Sequence, residues 1–270
     1  MKKFFLSLSA GLLIASCATN PVTGRKSLSI VSNAQLFPQS FAQYNQVLKE
    51  SKVISGTNDA KMVQTVGNRL KYAAEKYYQE LGISNQLNGY QWQFSLLDNK
   101  QINAWCMPGG KVAVYSGILP VTKDATGLAV VMGHEIGHAL AGHSAEQVSQ
   151  RVLTEMGGQV LGTAVSGSQW ANALGSIYSI GGSTVLLRYS RTMELDADVT
   201  GLYLMAMAGY DPNEAINFWE RMSKASGGVK QSEFFSTHPS DATRIAKIRE
   251  SLPKAIQMYN CLLYTSDAAD

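Results

Sequence analysis

Residues 128–144 read LAVVMGHEIGHALAGHS, and this stretch decides the fold. Residues four apart on an α-helix lie on the same face, so His134 and His138 are placed to bind one metal ion together. Glu135 follows the first histidine, where its carboxylate can act on a water molecule instead of binding the ion. The apolar run 128–132 indicates that the helix is buried. The stretch therefore predicts a metal centre on a buried helix, with zinc as the ion typical of this spacing.

Zinc held by two histidines needs a third protein ligand, and a later helix offers the best candidate. Residues 188–201 read RYSRTMELDADVTG, in which Glu194 and Asp198 lie four apart on one helical face. This arrangement suits Glu194 as the ligand and Asp198 as the partner that orients a zinc-binding imidazole. Asp196 is about 200° from Glu194 around the helix and is expected to face elsewhere. The other candidates for the carboxylate ligand are Glu146, Glu155 and Glu214.

A third histidine follows the motif at a position that does not suit a ligand. Where the metzincin pattern has glycine and histidine, this chain has Ala141 and Ser144. On a continuous helix, His143 lies about 140° from His138. We therefore expect His143 to cap the helix or to contact a ligand rather than to be one.

The composition excludes several classes of protein. The 270 residues are 45% hydrophobic and 16% charged, which is typical of a folded domain and not of a disordered or coiled-coil protein. The net charge of +3 is spread along the chain, so we expect no nucleic acid partner. Two of the 3 cysteines lie in the end segments described below, which leaves Cys106 alone. No internal disulfide is predicted, and stability must come from the core or from a bound metal.

The remaining sequence alternates between helical and strand patterns. This predicts an α+β fold that is mainly helical, with a small β-sheet beside the motif helix. Strands at 102–107 and 111–115 are joined by a Pro-Gly-Gly turn, which predicts a hairpin. The motif helix is expected to run from 123 to 149. The uncharged segment 156–187 predicts a helical hairpin or mobile flap, since its polar residues and glycines argue against a membrane span. Further expected elements are helices at 33–50, 57–82, 188–208, from 211 and after 239, and a strand at 91–97.

The N-terminal end has the composition of a secretion signal. Lysines precede a short apolar run, and residues 14–17 read IASC, which resembles a bacterial lipobox. We predict a signal peptide over 1–16, a lipid on Cys17 and a flexible tether over 17–32. Because Ala18 and not aspartate follows the cysteine, similarity to sorting signals favours the outer membrane. We therefore predict that the lipid anchor holds the protein at the periplasmic face of the outer membrane.

The C-terminal end departs from the pattern of the rest of the chain. Residues 261–270 read CLLYTSDAAD and lack the helical pattern of the residues before them. Back-translated, the segment looks like the adapter of a transposase-based sequencing library. We predict that it is not part of the natural protein and that the folded domain spans 33–260.

Several segments together resemble the gluzincin metallopeptidases of the HtpX and CAAX prenyl protease type. They are HEIGH, ELDAD, NAWCMPGGKVAVYSGIL before the motif helix and FFSTHPSDATRI after the acidic helix. The leader CATNPVTGRKSL is similar to the bacterial outer-membrane lipoprotein branch of that family, which is LoiP-like and BepA-like. The resemblance covers residues 17–255. HtpX-type relatives have several membrane spans, and this sequence contains no convincing one.

The resemblance implies a zincin-like metalloprotease domain with one zinc ion per chain. The implied zinc ligands are His134, His138 and Glu194, with Glu135 as the general base. His238 matches a histidine near the metal in BepA-like relatives. It could occupy the open zinc position or donate to the oxyanion; the alternative is an ordinary residue before a helix. Strand 102–107 is implied to be an edge strand on which an extended substrate pairs.

The function implied is a zinc-dependent endopeptidase that hydrolyses peptide bonds of misfolded or stalled proteins in the periplasm and at the outer membrane. Its implied partners are unfolded or misassembled proteins, the membrane through the lipid on Cys17, and the outer-membrane assembly machinery. One alternative is a chaperone-like assembly factor that uses the same groove with little cleavage. A metal store or sensor is another.

Overall fold

The computed structural model describes residues 17–155, 189–225, 238 and 242–266. The predicted signal peptide over 1–16 and the predicted hairpin or flap over 156–187 lie outside the described residues. In the described part of the chain, no helix has the length and hydropathy that crossing a membrane requires. The strands are β1 (Cys17–Thr19), β2 (Lys26–Leu28), β3 (Val53–Ile54), β4 (Gln93–Leu97), β5 (Ala104–Met107) and β6 (Lys111–Tyr115). The helices are α1 (Phe37–Glu50), α2 (Asn58–Glu80), α3 (Leu119–Thr122), α4 (Ala125–Leu140), α5 (His143–Glu155), α6 (Arg191–Met207), α7 (Glu214–Ala225) and α8 (Ala242–Ser266).

A small mixed sheet lies beside the motif helix α4, which confirms the predicted α+β fold. Its strand order is β3-β4-β6-β5, with β4 and β6 parallel and the other pairs antiparallel. The predicted hairpin is present as β5 and β6, paired from Ala104–Val114 to Met107–Lys111. Within the described residues, β5 is therefore an edge strand, as expected. The main core fills the space between the sheet and helices α2, α4 and α6.

Helices α4 and α6 approach each other at glycines. A Cβ atom on Gly201 would lie 2.6 Å from the backbone nitrogen of His134. A Cβ atom on Gly133 would lie 3.0 Å from the carbonyl oxygen of Gly201. Because no side chain separates the two backbones there, the acidic side chains of α6 can reach the histidine face of α4. Backbone proximity thus sets the geometry of the site.

The prediction of one continuous motif helix from 123 to 149 is wrong. Helix α4 ends at Leu140, and Gly142 has a φ of +69°, in the left-handed region. Glycine favours this conformation just after a helix because it has no Cβ. Helix α5 then begins at His143. The angle of about 140° calculated for His143 on a continuous helix therefore does not apply.

The prediction of a flexible tether over 17–32 is also wrong, because this segment packs against the body of the protein. Strands β1 and β2 pair as a hairpin, and the amide N–H groups of Ile30 and Val31 donate to the Ser149 hydroxyl at 3.0 and 3.1 Å. The polar residues that suggested mobility instead make the turn: Asn20 Oδ1 accepts hydrogen bonds from two backbone amides. We term residues 17–28 the N-terminal hairpin.

The C-terminal helix α8 passes the point where the helical pattern was expected to stop. It runs from Ala242 to Ser266 and includes Pro253. Helical structure thus continues beyond residue 260. The origin of residues 261–270 outside the natural protein stays a prediction.

Candidate metal centre and active site

Four buried side chains converge beside α4 and α6. One potential ligand atom from each of His134, His138, Glu194 and His238 lies within 4.8 Å of the other three. Each of these residues is at most 3% exposed. The structure thus brings the three predicted ligands together with the predicted auxiliary histidine. We term these four residues the ligand cluster.

The spacing in the ligand cluster fits a metal ion. Nε2 of His134 lies 3.1 Å from Nε2 of His138, and each nitrogen lies 3.5 Å from an oxygen of Glu194. A tetrahedral zinc ion with bonds of about 2.0–2.1 Å separates its ligand atoms by about 3.3–3.4 Å. Two imidazole nitrogens and a carboxylate oxygen also form a donor set that zinc prefers. The residues present therefore fit zinc in number, type and distance.

His238 approaches the same centre from outside the two helices. Its Nδ1 lies 3.0 Å from Oε1 of Glu194 and 3.3 Å from Nε2 of His134. Its Nε2 lies 3.6 Å from Oε1 of Glu135. The imidazole thus lies between the predicted ligands and the predicted base, and it precedes α8 without belonging to it.

Glu135 lies beside the ligand cluster without joining it. Its side chain is buried, and burial raises the pKa of this carboxyl from 4.5 to about 7. Within the described residues, no group donates a hydrogen bond to Oε1. A carboxylate whose pKa lies near neutrality has the property required of a general base.

His134 is held from behind by a carboxylate and an arginine. Its Nδ1 lies 2.9 Å from Oδ1 of Asp198, which leaves Nε2 for the ligand cluster. Arg244 donates to both oxygens of Asp198, from Nε at 2.7 Å and Nη2 at 2.6 Å. Its Nη1 lies 2.9 Å from Oε2 of Glu194 without hydrogen-bond alignment, and the guanidinium stacks over Trp219. One buried arginine therefore contacts both Asp198 and Glu194 and balances their charge.

These contacts keep the two carboxylates ionised. Burial opposes ionisation of Asp198, but the charge and hydrogen bonds of Arg244 outweigh burial and hold the pKa below its ordinary value. Burial also opposes ionisation of Glu194, yet the charges of His238 and Arg244 hold its pKa well below the usual range. Ionised carboxylates are the form that a metal site requires.

His138 is held by a longer chain of contacts. Its Nδ1 lies 2.8 Å from Nδ1 of His143, and Nε2 of His143 lies 3.4 Å from Oδ2 of Asp196. Tyr189 stacks on the His138 ring with centroids 3.7 Å apart. Burial lowers the pKa of both imidazoles, so both are neutral near pH 7. Asp196 faces away from the ligand cluster, as predicted, and His143 contacts the predicted ligand His138 without belonging to the cluster.

Two arginines at the site were not singled out in the sequence. Arg244 shares a helical face with the buried residues Ile248, Ser251 and Ala255, so a charge at a core position was the available signal. Arg25 is the second, and it bonds Asp196 behind His143. A basic residue in a segment rich in Pro, Gly and Ser gives no such signal, because that pattern is typical of an exposed turn.

The sequence is similar to known metalloproteases. The profile described as Peptidase family M48 matches residues 65–252. Mitochondrial metalloendopeptidase OMA1 of Saccharomyces cerevisiae is 37% identical over 193 residues, which are 68% of this chain and 54% of that relative. Metalloprotease LoiP of Escherichia coli is 26% identical over 252 residues, 89% of this chain and 96% of the relative. Metalloprotease YcaL of the same organism is 27% identical over 209 residues, 75% of this chain and 80% of the relative.

The matches cover different shares of this chain and of its relatives. The chain spans about half the length of the OMA1 proteins of budding yeast, fission yeast and human that it matches. The family match covers more than half of this chain and includes the motif helix, the acidic helix and Arg244. It confirms the resemblance to a metallopeptidase family that the sequence motifs predicted. The chain belongs to peptidase family M48.

Proposed function

We propose that the protein is a zinc-dependent endopeptidase that hydrolyses peptide bonds of misfolded or stalled proteins at the periplasmic face of the outer membrane. The observation that carries the proposal is the ligand cluster with Glu135 beside it, buried and with a pKa of about 7. A buried base next to two imidazoles and a carboxylate has the parts that metal-assisted amide hydrolysis requires.

His134, His138 and Glu194 would hold one zinc ion per chain. When bound, zinc polarises the scissile carbonyl and stabilises negative charge on its oxygen. The side chains supply the rest of the chemistry. Glu135 accepts a proton from the attacking water, and its oxygen Oε1 is open to such a partner. The same carboxyl group then transfers the proton to the leaving amine.

His238 supports a resting state of this site. Its Nδ1 lies 3.0 Å and 3.3 Å from ligand atoms of Glu194 and His134, which is the distance range of a fourth ligand. This geometry favours the open zinc position over an oxyanion donor for the arrangement described. The His238 imidazole would have to leave this position before a substrate carbonyl could enter the centre.

The edge strand β5 supports an extended substrate. It ends the sheet order β3-β4-β6-β5 and packs beside the motif helix. Pairing through backbone groups accepts many sequences, as a protease for unfolded proteins requires.

The proposed location rests on the leader, and the proposed protein partners rest on the resemblance of the sequence motifs; neither rests on the comparisons. The signal peptide, the lipid on Cys17 and the outer membrane follow from residues 1–18. The yeast and human relatives are named as mitochondrial, whereas LoiP and YcaL of Escherichia coli are named only as metalloproteases. Unfolded or misassembled proteins and the outer-membrane assembly machinery are the proposed partners.

The test is Glu135→Gln in the full chain, with zinc content and cleavage of casein as readouts. We expect the variant to retain zinc and to lose about 10²–10⁴-fold in cleavage rate, because amide substitution removes the base and keeps the ligands. A chelator should abolish cleavage by the parent protein, and added zinc should restore it. Retained cleavage in Glu135→Gln would contradict the mechanism.

A second function is favoured by the position of His238. If His238 stays in the ligand cluster as a fourth side chain, a substrate has no position there, which suits a chaperone-like assembly factor that rarely cleaves. The two functions separate in cells that lack the protein. Full rescue of outer-membrane assembly by Glu135→Gln favours the chaperone, and loss of rescue favours the protease.

A further inference from the structure

The N-terminal hairpin reaches the side of the metal centre behind His138. Arg25 donates to both oxygens of Glu146, from Nη1 at 3.1 Å and Nη2 at 2.6 Å. Its Nε donates to Oδ2 of Asp196. Thr23 donates from Oγ1 to the other Asp196 oxygen at 2.6 Å. Two residues of the hairpin thus bond a carboxylate that also contacts His143.

Arg25 neutralises two buried carboxylates at this contact. Asp196 is 4% exposed and Glu146 is 6% exposed, so each carboxylate needs a cation or several hydrogen bonds. Arg25 forms ion pairs with both of them. Removal of the guanidinium would leave two buried negative charges close together, which favours rearrangement of both side chains. Such a rearrangement would move the oxygen of Asp196 that contacts His143.

The contacts fix the positions of protons on two imidazoles. A neutral imidazole has one N–H and one lone pair. Because Asp196 is an acceptor, His143 carries its proton on Nε2 and presents a lone pair from Nδ1. The 2.8 Å contact between the two Nδ1 atoms then requires His138 to be the donor. His138 therefore keeps its proton on Nδ1, and its Nε2 has the free lone pair that a metal ligand needs.

We propose that Arg25 is a positioning residue for the metal centre: through Asp196 and His143 it holds His138 in the tautomer that presents Nε2 to the ion. The inference rests on the proposed function for its meaning in catalysis. It makes the N-terminal hairpin a component of the site and not only an attachment. Arg25 itself touches neither the ligand cluster nor a substrate.

The test uses the full chain with Arg25→Ala, Arg25→Lys and Asp196→Asn. The matched control is Lys52→Ala, which removes a cation from an exposed 2.6 Å ion pair with Asp98. The first readout is the ring tautomer of His138 in metal-free protein, measured by ¹⁵N NMR of the histidine side chains. The second is the dissociation constant for Zn²⁺ alone, measured by competition with a chelator. The third is kcat and KM for casein cleavage.

We expect the parent protein and Lys52→Ala to show His138 with its proton on Nδ1. Arg25→Ala and Asp196→Asn should show a mixture of tautomers and a dissociation constant for Zn²⁺ about 10–100-fold higher. Arg25→Lys should recover part of the affinity, because it restores the charge without the planar fork that spans two carboxylates. At subsaturating zinc, kcat should fall while KM stays constant, since the edge strand is unchanged.

The outcomes separate the inference from its alternatives. If Arg25→Ala binds Zn²⁺ as tightly as Lys52→Ala and keeps the tautomer, Arg25 is only a structural clamp and the inference fails, even if the melting temperature drops. If Arg25→Ala does not fold, unchanged zinc affinity in both Arg25→Lys and Asp196→Asn has the same meaning. If the parent protein cleaves no casein while Arg25→Ala loses zinc affinity, the proposed function fails and the inference stands.

Discussion

The two histidines of the motif helix are connected to their carboxylates by different numbers of contacts. His134 contacts a carboxylate directly, with Asp198 at 2.9 Å. His138 contacts His143 at 2.8 Å, and only then does the chain of contacts reach Asp196. In both arrangements the held atom of the histidine is Nδ1, so Nε2 points into the ligand cluster. We term them the direct branch and the relayed branch.

Each branch ends on an arginine, and the two arginines differ in burial. The Arg244 side chain of the direct branch is 4% exposed, whereas the Arg25 side chain of the relayed branch is 21% exposed. Water can therefore replace part of what Arg25 supplies and little of what Arg244 supplies. The comparison shows that an imidazole can be oriented in the same way by contacts that end on a buried helix or on a segment near the protein surface.

Arg244→Ala is expected to have the largest effect on this comparison. It leaves Asp198 and Glu194 buried without their cation, which should lower the free energy of unfolding by about 3–5 kcal/mol. Urea denaturation of metal-free protein measures the loss. Arg25→Ala should lose less unfolding free energy in the same experiment, because its partners Asp196 and Glu146 are closer to water than those of Arg244.

The matched control is Arg249→Ala, on the same helix but exposed and 3.8 Å from Glu220. It should leave the urea midpoint unchanged. Equal losses for Arg244→Ala and Arg25→Ala would show that burial does not distinguish the two branches.

A double-mutant cycle sharpens the comparison at the level of the carboxylates. Asp198→Asn should weaken zinc binding by about 100-fold and Asp196→Asn by about 10-fold, since the first contacts its ligand directly. Chelator competition measures both. The double variant should show the product of the two losses, because the branches meet only at the ligand cluster. A clearly smaller combined loss would show that the branches form one network.

Thr23→Val is expected to have the smallest effect. It removes one hydrogen bond to Asp196 and keeps Arg25 and His143 in contact with that carboxylate. A hydrogen bond to a charged group contributes about 1.5–3 kcal/mol to stability, but the hydroxyl acts on the metal centre only through Asp196 and His143. We therefore expect the zinc dissociation constant to rise by roughly fivefold at most. A larger loss would place the hydroxyl, and not the guanidinium, at the centre of the relayed branch.

The histidine and the carboxylate of the direct branch could be predicted from the sequence, whereas Arg244 and the connected contacts of the relayed branch could not. His134, His138, Glu194 and Asp198 follow the period of the α-helix, so spacing alone places them on two facing surfaces. The helix break at Gly142 was missed because the apolar pattern continues past it, although glycine often ends a helix. Residue spacing predicts structure best where the functional residues recur with the period of a single helix.

Contacts between distant segments leave no periodic trace. Arg25 bonds residues that lie 121 and 171 positions later in the chain. Its surroundings are Pro, Gly and Ser, which occur equally in mobile linkers and in tight turns. The incorrect tether prediction came from that ambiguity, and only the fold shows that the segment is a hairpin.

The N-terminal hairpin also limits the working radius of the proposed enzyme. If Cys17 carries the lipid, residues 17–25 connect the bilayer to the site, and even fully extended they would span only about 30 Å. The pairing of Cys17 with Leu28 folds this stretch back on itself and shortens it further. Hydrolysis would then be confined to polypeptides that come close to the membrane surface, with one face of the enzyme turned toward the lipid.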